Sequence, residues 1–151
     1  MKQRTMRRQD GVNLIELMIV VAIISIIAAV AYPAYTRYVA DARRADCSGG
    51  LAALANAMER HYSINGSYLG AAAAGANTGA PAVFGTACPI DGGTANYNLT
   101  ISAATASTYT VQAAPTGPQA GDRCGTLTLT NTGVKGVTGA AAGNDWQACW
   151  R

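Results

Sequence analysis

The side chains best suited to chemistry in this chain are four cysteines, one histidine and one carboxylate inside an apolar run. The cysteines are Cys47, Cys88, Cys124 and Cys149. An even count without any C-x-x-C pair argues for disulfides in an oxidising compartment, and against a zinc site or a thioredoxin-like motif. Residue types and spacing leave all three pairings open. His61 is the only histidine, and it reads as a surface residue near a helix end rather than a metal ligand. With one histidine on a helix there is no Ser/His/Asp set, and no paired carboxylates, metal cluster or phosphate loop appear. The residues therefore predict no enzyme, no cofactor and no metal. Glu16 is the chemically demanding group. It stands at the head of residues 17–36, which carry no charge. A carboxylate near the membrane end of such a run is costly and calls for a partner, such as a newly created α-amino terminus nearby.

The element that must hold Glu16 is a helix. A run of about 20 apolar residues rises about 30 Å, the thickness of a bilayer core. Lys2, Arg4, Arg7 and Arg8 precede it, which places the C-terminal part on the exported side by the positive-inside rule. The run is longer than a secretory signal core, and no A-x-A site follows it. Pro33 removes one helical hydrogen bond and predicts a kink or loosening near residues 29–33.

Past Arg37 the composition becomes mixed. Cys47, Leu51, Leu54, Met58 and Tyr62 recur at helical spacing and form one stripe. Asp41, Arg44, Asn56 and Arg60 are read as the opposite, polar face. Gly49 and Gly50 either weaken the helix or permit close packing. The turn at residues 64–67 ends it. A helix over residues 12–62 would be about 75 Å long, natural for a fibre subunit.

Residues 69–87 are nearly all Ala, Gly and small polar residues and read as an irregular loop. Three alternating stretches follow. They carry Tyr97, Leu99 and Ile101, then Tyr109, Val111 and Ala113, then Leu127 and Leu129, and read as half-buried strands. Pro115 and Pro118 separate the second from the third. Short connections favour an antiparallel meander, whose apolar face would pack on Leu51, Leu54 and Met58. Asn65 and Asn98 match the N-x-S/T pattern and are read as chance occurrences.

Net charge is +3 from eleven Lys/Arg and eight Asp/Glu. Residues 1–11 hold four of the cations and one acid, so the remainder balances at seven against seven. The mature chain has no strong basic footprint for nucleic acid.

The basic leader, Gly11 and the following V-N-L-I-E-L resemble the class III signal of type IV prepilins. Pro33, Tyr35 and Tyr38 also stand at the family's places. Val12 and Asn13 replace the family's usual Phe and Thr. The resemblance implies cleavage by a prepilin peptidase between Gly11 and Val12, then N-methylation of Val12. It also implies that Glu16 pairs with the N-terminal amine of a neighbouring subunit during assembly. Further on, Y-N-L-T-I, S-T-Y-T-V-Q-A-A-P, Q-A-G-D-R-C-G-T-L-T-L and the terminal C-W-R resemble minor pilins of the PilE/ComP type. By that resemblance Cys124 pairs with Cys149 around the C-terminal loop, which leaves Cys47 for Cys88.

The implied fold is α+β, the type IV pilin fold. A long N-terminal helix, half membrane segment and half amphipathic, packs on a three- to four-stranded antiparallel sheet with a disulfide-bound C-terminal loop. The implied divisions are a leader (1–11), an assembly helix (12–38) and a periplasmic globular domain (39–151). The implied function is a fibre subunit, a minor pilin. Its partners would be other pilins, the peptidase, the inner-membrane assembly platform and, before assembly, the membrane itself. Two alternatives remain. One is a receptor for DNA, with Arg123, Lys135 and Arg151 as contacts. The other is a type II secretion pseudopilin.

Overall fold

The structure is a computed structural model and describes residues 13–150. The leader, the Gly11–Val12 bond and Arg151 lie outside the described residues. The chain divides into two compact units, Met1–Tyr38 and Val39–Arg151.

One helix, α1 (Leu14–Asn65), belongs to both. Its first part is built from Leu, Ile, Val, Ala and Met, and every residue from Asn13 to Tyr38 is exposed. By length and apolar composition it can cross a membrane. The helix passes through Pro33 without a break. Loss of one backbone bond is tolerated when the flanking bonds remain. The Ser25 and Thr36 hydroxyls donate to the Val21 and Pro33 carbonyls, at 2.7 and 3.0 Å, so neither leaves a free donor on the apolar surface.

In the second unit α1 buries Arg44, Cys47, Gly50, Leu51, Leu54, Ala57 and Met58. Arg44 joins the expected stripe at one end, and Tyr62, expected on it, is exposed at the other, where the helix runs past the edge of the core. Gly50 answers a question of packing. A Cβ there would stand 3.0 Å from the Cys88 sulfur, whereas Gly49 faces open space. The helix extends to Asn65, where the Asn65 side chain donates to the His61 carbonyl at 2.9 Å. Gly66 then takes φ +68 and closes on the Tyr62 carbonyl at 2.7 Å. Glycine adopts that left-handed conformation without a Cβ clash.

Five antiparallel strands follow in the order β1-β2-β3-β4-β5. They are β1 (Ala87–Cys88), β2 (Tyr97–Ala104), β3 (Tyr109–Pro115), β4 (Thr126–Thr130) and β5 (Lys135–Thr138). The three central strands coincide with the alternating stretches. Strands β1 and β5 extend the expected three or four to five. Each is too short to show a period, and β5 contains Gly136. The register aligns Leu99, Ala113, Leu127 and Val137 in one row and Ile101, Val111, Leu129 and Lys135 in the next. The apolar members of these rows and of the α1 stripe make one core, with Lys135 left exposed at its edge, and each buried Leu in it contributes about 1.5–3 kcal/mol. Tyr68 and Tyr109 meet edge to face at 4.8 Å within it. The loop before β1 is tied down by bridges from Ala72 to Pro81 and from Gly79 to Ile101, with Ala71 and Ala72 fully buried.

The four cysteines form two disulfides, Cys47–Cys88 and Cys124–Cys149. The first joins α1 to β1. The second joins the turn before β4 to α2 (Trp146–Cys149), a single helical turn capped by the Asp145 carboxylate.

Candidate functional site

Two regions carry the functional candidates. The first is the exposed apolar part of α1, with Glu16 in its first turn. The side chain is exposed, so a carboxylate faces outward from an otherwise apolar surface. Gly11 and Val12, the residues expected to be cut and methylated, lie outside the described residues.

The second region lies where α1 meets the C-terminal loop, and a buried ionic cluster organises it. The Arg44 side chain is 5% exposed and that of Asp122 is 1%. Arg44 Nε donates to Asp122 Oδ2 at 2.9 Å, and Arg44 Nη2 donates to Asp122 Oδ1. The pair is bidentate, the geometry in which guanidinium and carboxylate bind best. Tyr97 donates its hydroxyl to Asp122 Oδ2 at 2.5 Å, and Arg44 Nη1 reaches Asp41 at 2.9 Å. Gln119, itself buried, donates to the Ala40 carbonyl at 3.0 Å. Burial by itself would raise the Asp122 pKa. The hydrogen bonds from Arg44 and Tyr97, with the Arg44 charge, hold it below its ordinary value. The hydrogen bond to Asp122 holds the Arg44 guanidinium above its already high value, against the cost of burial.

This cluster corrects the reading of Arg44 as a solvated residue on the polar face. Arg44 stands three positions before Cys47, so a helix brings the two to one side. The available signal was that spacing, together with an aspartate two residues before Cys124.

The expected cations are placed differently. Arg123 is half exposed and shares Asp41 at 3.2 Å. Lys135 is exposed, at the sheet edge, with its ammonium 5.2 Å above the Trp150 ring. Trp150 in turn donates its indole N–H to the Gly136 carbonyl at 2.9 Å. The Cys124–Cys149 bond ties the segment holding Arg123 to α2, and Trp150 ties the end of α2 to β5. Arg151 lies outside the described residues. The outward face of the central sheet, with Thr100, Gln112 and Thr128 in one cross-strand row, is uncharged. His61 sits at the far end of α1, with Nε2 2.9 Å from the Leu69 carbonyl. Among the described residues no group of three or more His, Cys, Asp or Glu is placed to hold a metal.

The sequence model of a family described as "Type IV minor pilin ComP, DNA uptake sequence receptor" matches residues 33–128. A model of the prokaryotic N-terminal methylation motif matches residues 6–32. Among solved structures, the non-core minor pilin PilV of Neisseria meningitidis is similar at 20% identity. The match covers 68% of this chain and 90% of that one, with a TM-score of 0.48. A type IV pilin from Shewanella oneidensis is similar at 28% identity, over 74% of this chain and 98% of that one, with a TM-score of 0.45. No curated protein matches significantly.

Proposed function

The chain belongs to the ComP family of type IV minor pilins, and from that premise we propose how it is processed, held and built into a fibre. As a minor pilin it is a structural subunit, not an enzyme, and it assembles with other pilins. Its methylation motif implies processing by prepilin peptidase. The peptidase cuts between Gly11 and Val12 and methylates the Val12 amine. Residues 12–38 then hold the subunit in the inner membrane, with residues 39–151 on the periplasmic side, until the assembly platform moves it into the pilus. Glu16 pairs with the methylated amine of a neighbour. That ion pair satisfies a carboxylate that would otherwise be stranded among apolar side chains.

The observation carrying this reading is the run of exposed apolar residues in α1, most of which lies within the matched motif. Such a surface is stable in lipid or against copies of itself, not in water. Two substitutions test it. Gly11→Asp is expected to leave the full-length precursor on an immunoblot. Glu16→Ala is expected to be cut normally yet be missing from sheared pili. Normal incorporation of Glu16→Ala would refute the pairing.

A second reading is a receptor for DNA. The description of the matched family favours it, and so does the exposed ammonium of Lys135 beside Trp150. Arg123, Lys135 and Arg151 would make the phosphate contacts. Three such contacts would lower affinity about 40-fold between about 50 and about 200 mM salt. A gel shift with the domain from residue 39 tests this, with Lys135→Ala as the weakened variant. No retardation at low salt ends the reading. A place in type II secretion is disfavoured, because the family match extends well past the shared N-terminal segment.

A further inference from the structure

We propose that Cys149 is a thiol-exchange site, at which a dithiol opens the Cys124–Cys149 bond of the folded domain while Cys47–Cys88 stays closed.

Burial alone does not separate the two disulfides, since none of the four cysteines is more than 2% exposed. Their settings differ. Cys47 stands far from either end of the 52-residue helix α1. The sulfur of its partner Cys88 is closely packed, with only 3.0 Å between it and a Cβ placed on Gly50. Exchange at that bond requires α1 to part from the sheet. Such an opening costs nearly as much as global unfolding.

Cys149 instead ends α2, a single turn of four residues. A turn that short has no stability of its own. The Asp145 carboxylate holds it by accepting from the Ala148 amide at 2.9 Å. The Trp150 indole holds the residue beyond it by donating to the Gly136 carbonyl. Releasing these two bonds is a local event that leaves the core intact.

The same turn borders a cavity of about 170 Å³, lined by Asp41, Arg44, Arg123, Ala148 and Cys149. One water takes roughly 30 Å³, so the space admits a sulfur and the carbon carrying it. Cys149 lies on this wall and Cys124 does not. The Arg123 guanidinium is 52% exposed, and a cation beside the sulfur draws in a thiolate. Asp41, the one carboxylate on the wall, already accepts from both Arg44 and Arg123.

The exchange runs in two steps. A thiolate of the dithiol attacks the Cys149 sulfur, forming a mixed disulfide, and Cys124 leaves as a thiolate with the electron pair of the broken bond. The second thiolate of the reagent then attacks its own sulfur in the mixed disulfide and expels the Cys149 thiolate. Two electrons pass to the protein, the two cysteines take up two protons, and the dithiol becomes a disulfide. Residues 125–148, with Lys135 among them, are then unstapled on a subunit whose other disulfide still holds its fold.

The test uses the full chain in detergent micelles, treated with dithiothreitol under native conditions, alkylated at intervals and mapped without reduction. Cys124 and Cys149 are expected to be alkylated at least about tenfold faster than Cys47 and Cys88. Near-ultraviolet circular dichroism is expected to persist meanwhile. Asp145→Ala, which removes the cap, is expected to speed that first reduction about fivefold. A thioredoxin variant whose second active-site cysteine is replaced by serine is expected to be trapped on Cys149. Reduction of both bonds together, or of Cys47–Cys88 first, overturns the inference. Trapping on Cys124 overturns the choice of sulfur. An unchanged rate in Asp145→Ala overturns opening of α2 as the route.

Discussion

Replacing Asp122 with alanine will cost the globular domain about 3–5 kcal/mol of folding free energy. The carboxylate accepts from Arg44, from the Tyr97 hydroxyl and from the Cys124 amide. Alanine would leave the Arg44 guanidinium, 5% exposed, with only Asp41 at the surface, and would strand the buried Tyr97 hydroxyl. An uncompensated buried charge costs far more than the pair contributes, because desolvation is no longer offset. The double variant Arg44→Met/Asp122→Leu should therefore recover most of the loss. Urea denaturation of the domain from residue 39 gives both numbers. A double variant no more stable than Asp122→Ala would show that the charges do more than satisfy each other.

The same cluster sets the acid limit. The folded Asp122 pKa lies below its unfolded value. Its contribution is thus fully present above the ordinary carboxylate pKa and is lost as pH falls through the folded value. Wild-type stability should drop on that acid side, and Asp122→Ala should drop less. Tyrosines act at the other end. Burial, aided by the Glu59 hydrogen bond, pushes the Tyr68 pKa up to about 12, and burial raises those of Tyr97 and Tyr109 as well. Their contribution holds below the ordinary phenol pKa and fades as pH rises through the folded values.

Removing the Cys47–Cys88 bond as a Cys47→Ala/Cys88→Ala pair is the second large effect, a loss of about 4 kcal/mol in the chain-entropy model for a loop of 41 residues. Small domains stand only about 5–15 kcal/mol from unfolding, so this loss is a large share. The loop it closes contains the Ala/Gly segment, which is otherwise held by the bridges Ala72–Pro81 and Gly79–Ile101 and by buried Ala71 and Ala72. Limited proteolysis should cut residues 66–86 early in the variant and late in the wild type. A change in denaturation midpoint without loop cleavage would place the bond's effect in the unfolded chain only.

Much of this molecule is legible along the chain because the relevant physics is local. Glu16 and the apolar run following it are read by position and transfer energy. The stripe of Cys47, Leu51, Leu54 and Met58 follows from 3.6 residues per turn, and the strands carrying Tyr97, Tyr109 and Leu127 from alternation. Shorter elements escape that reading. Strand β1 holds two residues and β5 four, fewer than a period needs, and their existence depends on neighbours that supply hydrogen bonds. Trp150 is similar: only β5, placed beside it, turns its indole into a clasp on the sheet edge.

The sequence by itself determined the division of labour: an apolar helix that must leave water, a motif for cutting and methylation, and a small domain in need of covalent staples. Tertiary structure alone decided that Arg44 is buried, that Asp122 from 78 positions away meets it, and that Gly50 is small because a disulfide passes over it. Charge on a helix face reads as solvated until a distant residue comes close enough to replace water. That proximity is a property of the folded chain and is not encoded in any short window of it.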